Sequence, residues 1–358
     1  MTWRRAWATY VTAHVGKSLL WSGSDLLTLY LLVSVYGLAA NAQADFPVGN
    51  HLARRPGHAG PIAAAALVLS GISFPTTVLL APYGAPALLS ATLLFRIAYS
   101  GGDVPHNTLL TRLGDTPARA VSLSRGRTVG TALASLMVAG VASGATMVPL
   151  RIAVPPRSST VGPERPVPRA LPLPFVVASV IGIVALGALA KAVLHLPQAW
   201  HRGDDGRSVL TLLIFGRTAS ALLPIRLADA RHGLRLLAMS YASAASAASA
   251  AIGFAWSAGS TLLALFGLAL GTTNLIGWAI VPVLRAGPRG CGLYTMASKL
   301  VLGTAELALA GGLGRVPTFT AGSYVAFVLM VAAGCIVTAL LLLLPGLTRS
   351  PARGLPAA

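Results

Sequence analysis

Six ionisable side chains stand inside apolar runs of this sequence: Asp25, Asp103 and Glu306 against Arg96, Arg217 and Lys299. A charge at membrane depth is costly enough that it marks a pathway, a binding site or a partnered bridge. Asp103 is the foremost of them, ending a long apolar run in the string Tyr99-Ser-Gly-Gly-Asp103-Val-Pro105-His-Asn. Arg96 precedes it by seven residues, a spacing that leaves two side chains within about 20° of one another on a helix. The pair can present a carboxylate to a polar solute, or it can neutralise itself and hold helices together. Lys299 and Glu306 repeat the spacing with Gly303 between them. A charge pair that packs helices and a part in moving protons or cations both fit them. Asp25 lies seven residues after Ser18, facing a binding hollow or paired with a buried base such as Arg217. Gly101, Gly102 and Pro105 should weaken the helix beside Asp103, an irregularity expected near a substrate cavity.

Trp21, Trp256, Trp278, Tyr30 and Tyr99 could stack on the CH faces of a sugar, and each could equally anchor at a membrane interface. The seven histidines have no metal-ligand spacing, and neither a zinc-protease motif nor a glycine-rich phosphate loop occurs. Cys291 and Cys335 show no metal or redox pattern. An intramembrane enzyme would need clustered nucleophiles or metal ligands, and the sequence offers none.

The elements that carry these residues are membrane helices. The chain has 358 residues, 55% hydrophobic and 10% charged, with a mean hydropathy of +0.73, which excludes an ordinary soluble domain. About ten apolar windows reach the roughly 20 residues that cross a bilayer: 18–39, 61–82, 85–105, 128–150, 171–194, 208–225, 234–256, 258–284, 292–313 and 321–345. Lipid offers backbone groups no partner, so all should be α-helices and the fold class is all-α, a polytopic helical bundle. The first run is read as a mature helix, because it carries Lys17 and Asp25 and lacks a cleavage site. The formal charge of +18 sits in loops, tails and span ends, since the six buried charges cancel. It reads as a topology signal, with no nucleic-acid partner implied.

The polar stretch from Leu196 to Arg207 divides the spans into two similar halves, as an internal duplication would. The expected units are an N-terminal bundle at 1–196, a cytoplasmic linker at 197–207, a C-terminal bundle at 208–348 and a cytoplasmic tail at 349–358. A Pro/Arg-rich loop over 149–174 joins the fourth and fifth spans. Arg4 and Arg5, like Arg54 and Arg55, have a cytoplasmic signature, yet only one full span separates them. Each half is therefore short of one crossing, and in the first the deficit falls on a stub second helix at 40–53.

Two loops, Gly49-Asn-His-Leu-Ala-Arg-Arg-Pro-Gly57 and Arg226-Leu-Ala-Asp229-Ala-Arg231-His-Gly233, resemble the G-x-L-A-D-R-x-G-R loop of the major facilitator superfamily. Within it, residues 99–130 look like the fourth helix and following loop of the glycoside-pentoside-hexuronide:cation symporters, the melibiose permease-like family. Residues 16–38 are similar to that family's first helix, 44–49 to the end of its second and 290–308 to its eleventh. This resemblance implies a sugar carrier in which Asp103, Lys17, Arg125 and Lys299 meet the solute. Trp278, in a segment like the family's tenth helix, would face the cavity. It also implies a cation-coupling site at Asp45, Asn41 and Asp103, serving H+ or Na+, with no organic cofactor. Ser18 and Asn41 stand where the family has carboxylates, and much of the second and seventh helices is absent.

The expected protein is a secondary transporter of a small polar, sugar-like solute in a bacterial cytoplasmic membrane. Both termini would be cytoplasmic, and the chain would work as a monomer or weak homodimer among lipid. The other reading is a non-transporting scaffold or binding protein derived from such a carrier, whose missing helices expose flanks for a second protomer or lipid to cover.

Overall fold

A computed structural model describes residues 2–30, 59–142, 171–195, 206–253, 259–284, 290–299 and 321–344. These are α-helical apart from short turns, with no β-strand among them. In chain order the helices are α1 (Trp3–Tyr30), α2 (Ala59–Leu80), α3 (Ala85–Leu113), α4 (Pro117–Ala142), α5 (Leu173–His195), α6 (Gly206–Ala219), α7 (Ala230–Gly253), α8 (Gly259–Val283), α9 (290–299) and α10 (Ala321–Leu342).

Local chemistry fixes several boundaries. Between α2 and α3 the chain reverses through Gly84, whose φ of 98° is open to glycine and strained for other residues. At the end of α3, Gly114 N–H donates to the Leu110 carbonyl at 2.8 Å, and a side chain there would come within 2.7 Å of that oxygen. The next helix starts at once: the Thr116 hydroxyl accepts from the Arg119 N–H at 3.3 Å, and Pro117 takes the first helical position, where its missing donor costs nothing.

These helices differ from the apolar windows in three ways. First, α1 begins at Trp3 and α3 continues to Leu113, because amphipathic turns extend helices beyond the part that lipid requires. Second, α3 is unbroken through Pro105. The carbonyl that a proline ring crowds belongs to the residue four before it, here Gly101, which has no side chain to oppose an adjustment. Third, α6 has 14 residues, about 21 Å, and a single 3-10 turn at Ser220–Leu222 follows; this is shorter than the span expected at 208–225.

Helix α1 runs antiparallel to α3, since Trp21 meets Tyr99, Lys17 meets Asp103 and His14 meets His106. It runs parallel to α4, where Ser18 meets Thr131 and Ser22 meets Ser135. The tight turn at Gly84 makes α2 antiparallel to α3, so α1 and α2 point the same way. The stub expected at 40–53 falls outside the described residues.

Small residues let other helices touch backbone to backbone. A methyl on Gly267 of α8 would lie 2.5 Å from the Leu213 carbonyl oxygen of α6. Helix α7 presents the buried Ala244, Ala245 and Ala248 and packs against both α8 and α10. One hydrophobic cluster runs through α4 to α10, and a smaller one joins α1, α3 and α4 around Tyr10, Leu110 and Leu123.

The outer faces invert the pattern of a soluble protein. Ile72 and Leu79 on α2 are 63% and 68% exposed, as are Met330 and Leu340 on α10 at 63% and 61%. Arg96, Asp103 and Asn107 lie inside at 2% or less. Among the described residues four helices are long and apolar enough to span a membrane, with windows at Ala65–Tyr83, Leu173–Ala190, Thr261–Val283 and Val325–Leu342. Helices α1 and α3 carry the buried charges, which dilutes their mean hydropathy.

Candidate functional site

Spacings of three and four residues put Tyr10, His14, Lys17 and Trp21 on one face of α1, and Arg96, Tyr99, Asp103, His106 and Asn107 on one face of α3. Where these faces meet, Lys17 Nζ donates to Asp103 Oδ1. Lys299 reaches from α9 to the other oxygen, Asp103 Oδ2, at 2.8 Å. The carboxylate is thus clamped between cations from the first helix and from one near the end of the chain. The Lys299 ammonium also lies 4.6 Å and 4.7 Å from the rings of Trp21 and Tyr99, where aromatic faces favour a cation.

Asn107, one turn beyond Asp103, is the hub of the network. Its Nδ2 donates to Asp103 Oδ1 at 3.1 Å and to Thr295 Oγ1 at 3.2 Å. Its Oδ1 accepts from Arg127 Nη1 at 2.7 Å and from Lys17 Nζ at 3.3 Å. Two donated and two accepted bonds exhaust the amide, so Asn107 ties α1, α3, α4 and α9 together. Arg127 also donates to the Tyr10 hydroxyl at 3.0 Å, and its guanidinium stacks 4.0 Å over Trp278 of α8. Trp278 and Tyr294 pack at right angles, with ring centroids 5.0 Å apart.

The structure brings Lys17, Asp103, Lys299 and Trp278 into this one centre and puts two other expected residues, Arg96 and Arg125, elsewhere. Arg96 is not the partner of Asp103; its guanidinium lies 4.2 Å over Trp21. Seven residues share a helix face but sit about 10 Å apart along the axis, so lysines on facing helices reach the carboxylate more easily. Arg125 faces away from the centre and donates to the carbonyls of Leu223 at 2.6 Å and Ile225 at 3.3 Å, fastening α4 to the segment after α6. Residues two apart on a helix point to opposite sides, and it is Arg127 that faces inward. Lys299 engages Asp103, while Glu306, its expected partner, lies outside the described residues. So do Asn41 and Asp45, and Asp25 is placed only as a backbone position in the last turns of α1.

Sequence reasoning missed Asn107, Arg127 and the His14–His106 pair. Asn107 was signalled by its place four residues after Asp103, on the same face. Arg127 had only its contrast with Arg125 to announce it.

Apolar outer faces around a buried polar centre, built by helices from both ends of the chain, define a polytopic integral membrane protein. No protein-family model and no curated protein matches the sequence. Among solved structures, the chain is similar to a bacterial homologue of the iron transporter ferroportin in its outward-facing state. The TM-score is 0.57 at 11% identity, over 94% of this chain and 98% of that one. A structure of such a homologue with soaked iron gives 0.55 at 12%, over the same shares. The chain therefore shares the all-helical fold of that transporter homologue. These neighbours do not single out the sugar:cation symporters.

Proposed function

We propose that this chain is a secondary transporter that moves a small polar, sugar-like solute across a bacterial cytoplasmic membrane by alternating access, with both termini cytoplasmic. H+ or Na+ is its coupling ion. It needs no organic cofactor or nucleic acid, and works as a monomer or weak homodimer surrounded by lipid. The observation that supports the reading is the clamp on Asp103, where Lys17 and Lys299 hold one buried carboxylate from opposite ends of the chain. Opening a cavity between the two helix sets must break the Lys299 bond. Solute hydroxyls are suited to replace it, because they donate to a carboxylate and accept from lysine, arginine and amide groups. Arg127, Asn107 and the ring of Trp278 surround the same point.

The iron in the neighbour's description fits this centre less well. Two lysines already neutralise Asp103, and no cluster of three His, Cys, Asp or Glu occurs among the described residues. The decisive experiment is uptake of a panel of radiolabelled mono- and disaccharides into proteoliposomes. Uptake of at least one sugar above protein-free vesicles is expected. Transport of ferrous iron with no sugar uptake would reverse the assignment, and absence of any flux would favour a scaffold.

A further inference from the structure

The rung next to the Lys17–Asp103 bond consists of two histidines that solute recognition does not require. His14 Nδ1 lies 3.2 Å from His106 Nε2, and His14 Nε2 lies 3.1 Å from Thr131 Oγ1. The imidazoles stack at 5.3 Å, and Tyr10 stacks on His106 at 4.6 Å. Both histidines are buried. His14 precedes Lys17 by three residues and His106 follows Asp103 by three, so each ring sits one helical turn from the clamped ion pair.

We propose that His14 and His106 form the proton-binding site of the carrier, taking one proton from water when the clamp on Asp103 opens and returning it when the clamp recloses. The inference rests on the transport reading and names its coupling ion.

Two neutral imidazoles bring two N–H groups and two bare nitrogens, and one N–H bridges the rings. A third proton, delivered from water, makes one ring an imidazolium and leaves the bridge in place as a charge-assisted bond. Imidazole is the side chain suited to this exchange near neutral pH. The charged groups facing the pair are Lys17 on α1, Asp103 on α3, Arg127 on α4 and, for His14, Arg217 on α6; Tyr10 and Thr131 add hydroxyls. With the clamp closed, the lysines occupy the carboxylate and three cations oppose a further positive charge. When solute hydroxyls displace Lys299, the Asp103 carboxylate one turn away is released to offset an imidazolium. Proton and solute therefore favour one another, and the coupling is reciprocal.

The test uses full-length protein labelled with 15N-histidine in lipid nanodiscs, and the same protein in proteoliposomes. In a Lys299→Gln background, which releases one side of the clamp, the ring resonances assigned through His14→Gln and His106→Gln should move together in one single-proton step between about pH 8 and pH 5, and with Lys299 in place the step should lie at lower pH. Either substitution should remove the step from the remaining ring. In vesicles, an inward pH gradient should drive wild-type accumulation of whichever panel sugar is carried. His106→Gln should lose that accumulation and keep counterflow at equal pH. Rings that stay neutral throughout, or that titrate independently of each other, would reduce the pair to a tie between α1 and α3. Should the wild type carry no sugar, the transport reading fails by itself, and the resonances still decide whether the pair binds a proton.

Discussion

Asp103 is held by two lysines and an asparagine, and each partner depends on its charge. Replacing it with asparagine keeps the volume and removes what balances Lys17 and Lys299, a loss that costs about 3–5 kcal/mol when one member of a buried pair is deleted. Asp103→Asn is expected to bring sugar uptake to background and lower the midpoint of thermal unfolding in detergent, with Asp103→Glu recovering part of both. Unchanged uptake by the asparagine variant would show that the clamp is only structural. Arg127 and Arg125 separate binding from architecture. A hydrogen bond to a charged group contributes about 1.5–3 kcal/mol, so Arg127→Gln should weaken uptake roughly 10- to 100-fold. Arg125→Gln should lower thermal stability and leave apparent solute affinity alone, because its contacts are carbonyls of the chain itself. Equal affinity losses in both variants would contradict this division. Asp103 and Lys299 could be recognised from the sequence because a charge in an apolar run has to be explained. Their pairing could not, since the sequence shows neighbours along a helix while the partners stand on different ones.

At the scale of elements, hydropathy locates what lipid requires and overlooks what packing adds. The expected loop after residue 105 is instead two further turns of α3, a short turn and the first turns of α4. Arg119 pairs with Asp115 there at 2.8 Å on the exposed surface, and Gly114 and Thr116 supply the caps. Those capping residues were readable signals; the apolar window ended before reaching them. The shortness of α6 matters for packing, because a brief helix has little side-chain area and must gain contact by close approach. Gly267 and Gly271 of α8 provide it, each lacking the side chain that would strike the α6 backbone. Gly267→Leu is therefore expected to cost at least about 1–3 kcal/mol through overpacking, read as a lower unfolding midpoint. Gly71, beside which an added methyl meets nothing within 4 Å, should accept alanine with little change. A Gly267→Leu variant as stable as the parent would mean that α6 and α8 do not meet backbone to backbone.

For the molecule as a whole, the question is which helices move together. Two halves divided at 197–207, as expected from the sequence, would rock as α1–α5 against α6–α10, yet contacts between these groups are extensive: α4 packs on α8, and α5 packs on α10. In alternating access some of these contacts must slide or part, whereas those inside one bundle persist. Cysteine cross-links distinguish the cases once Cys291 and Cys335 are replaced by serine. Ser22 and Ser135 bring their hydroxyls within 3.3 Å between α1 and α4, both within the expected first bundle, so Ser22→Cys with Ser135→Cys should cross-link and leave uptake intact. A β-carbon added at Gly334 of α10 would lie 3.1 Å from that of Ala185 in α5, close to the roughly 3.5–4.5 Å that a disulfide spans. Ala185→Cys with Gly334→Cys should cross-link under oxidation, arrest uptake and regain it on reduction. Uptake that continues through the oxidised pair would attach α5 to the second set of helices, because a covalent bond tolerates no opening across it. The moving boundary would then lie within the first 196 residues rather than at the linker, and the lever that opens the Asp103 clamp would be α1 to α4 alone.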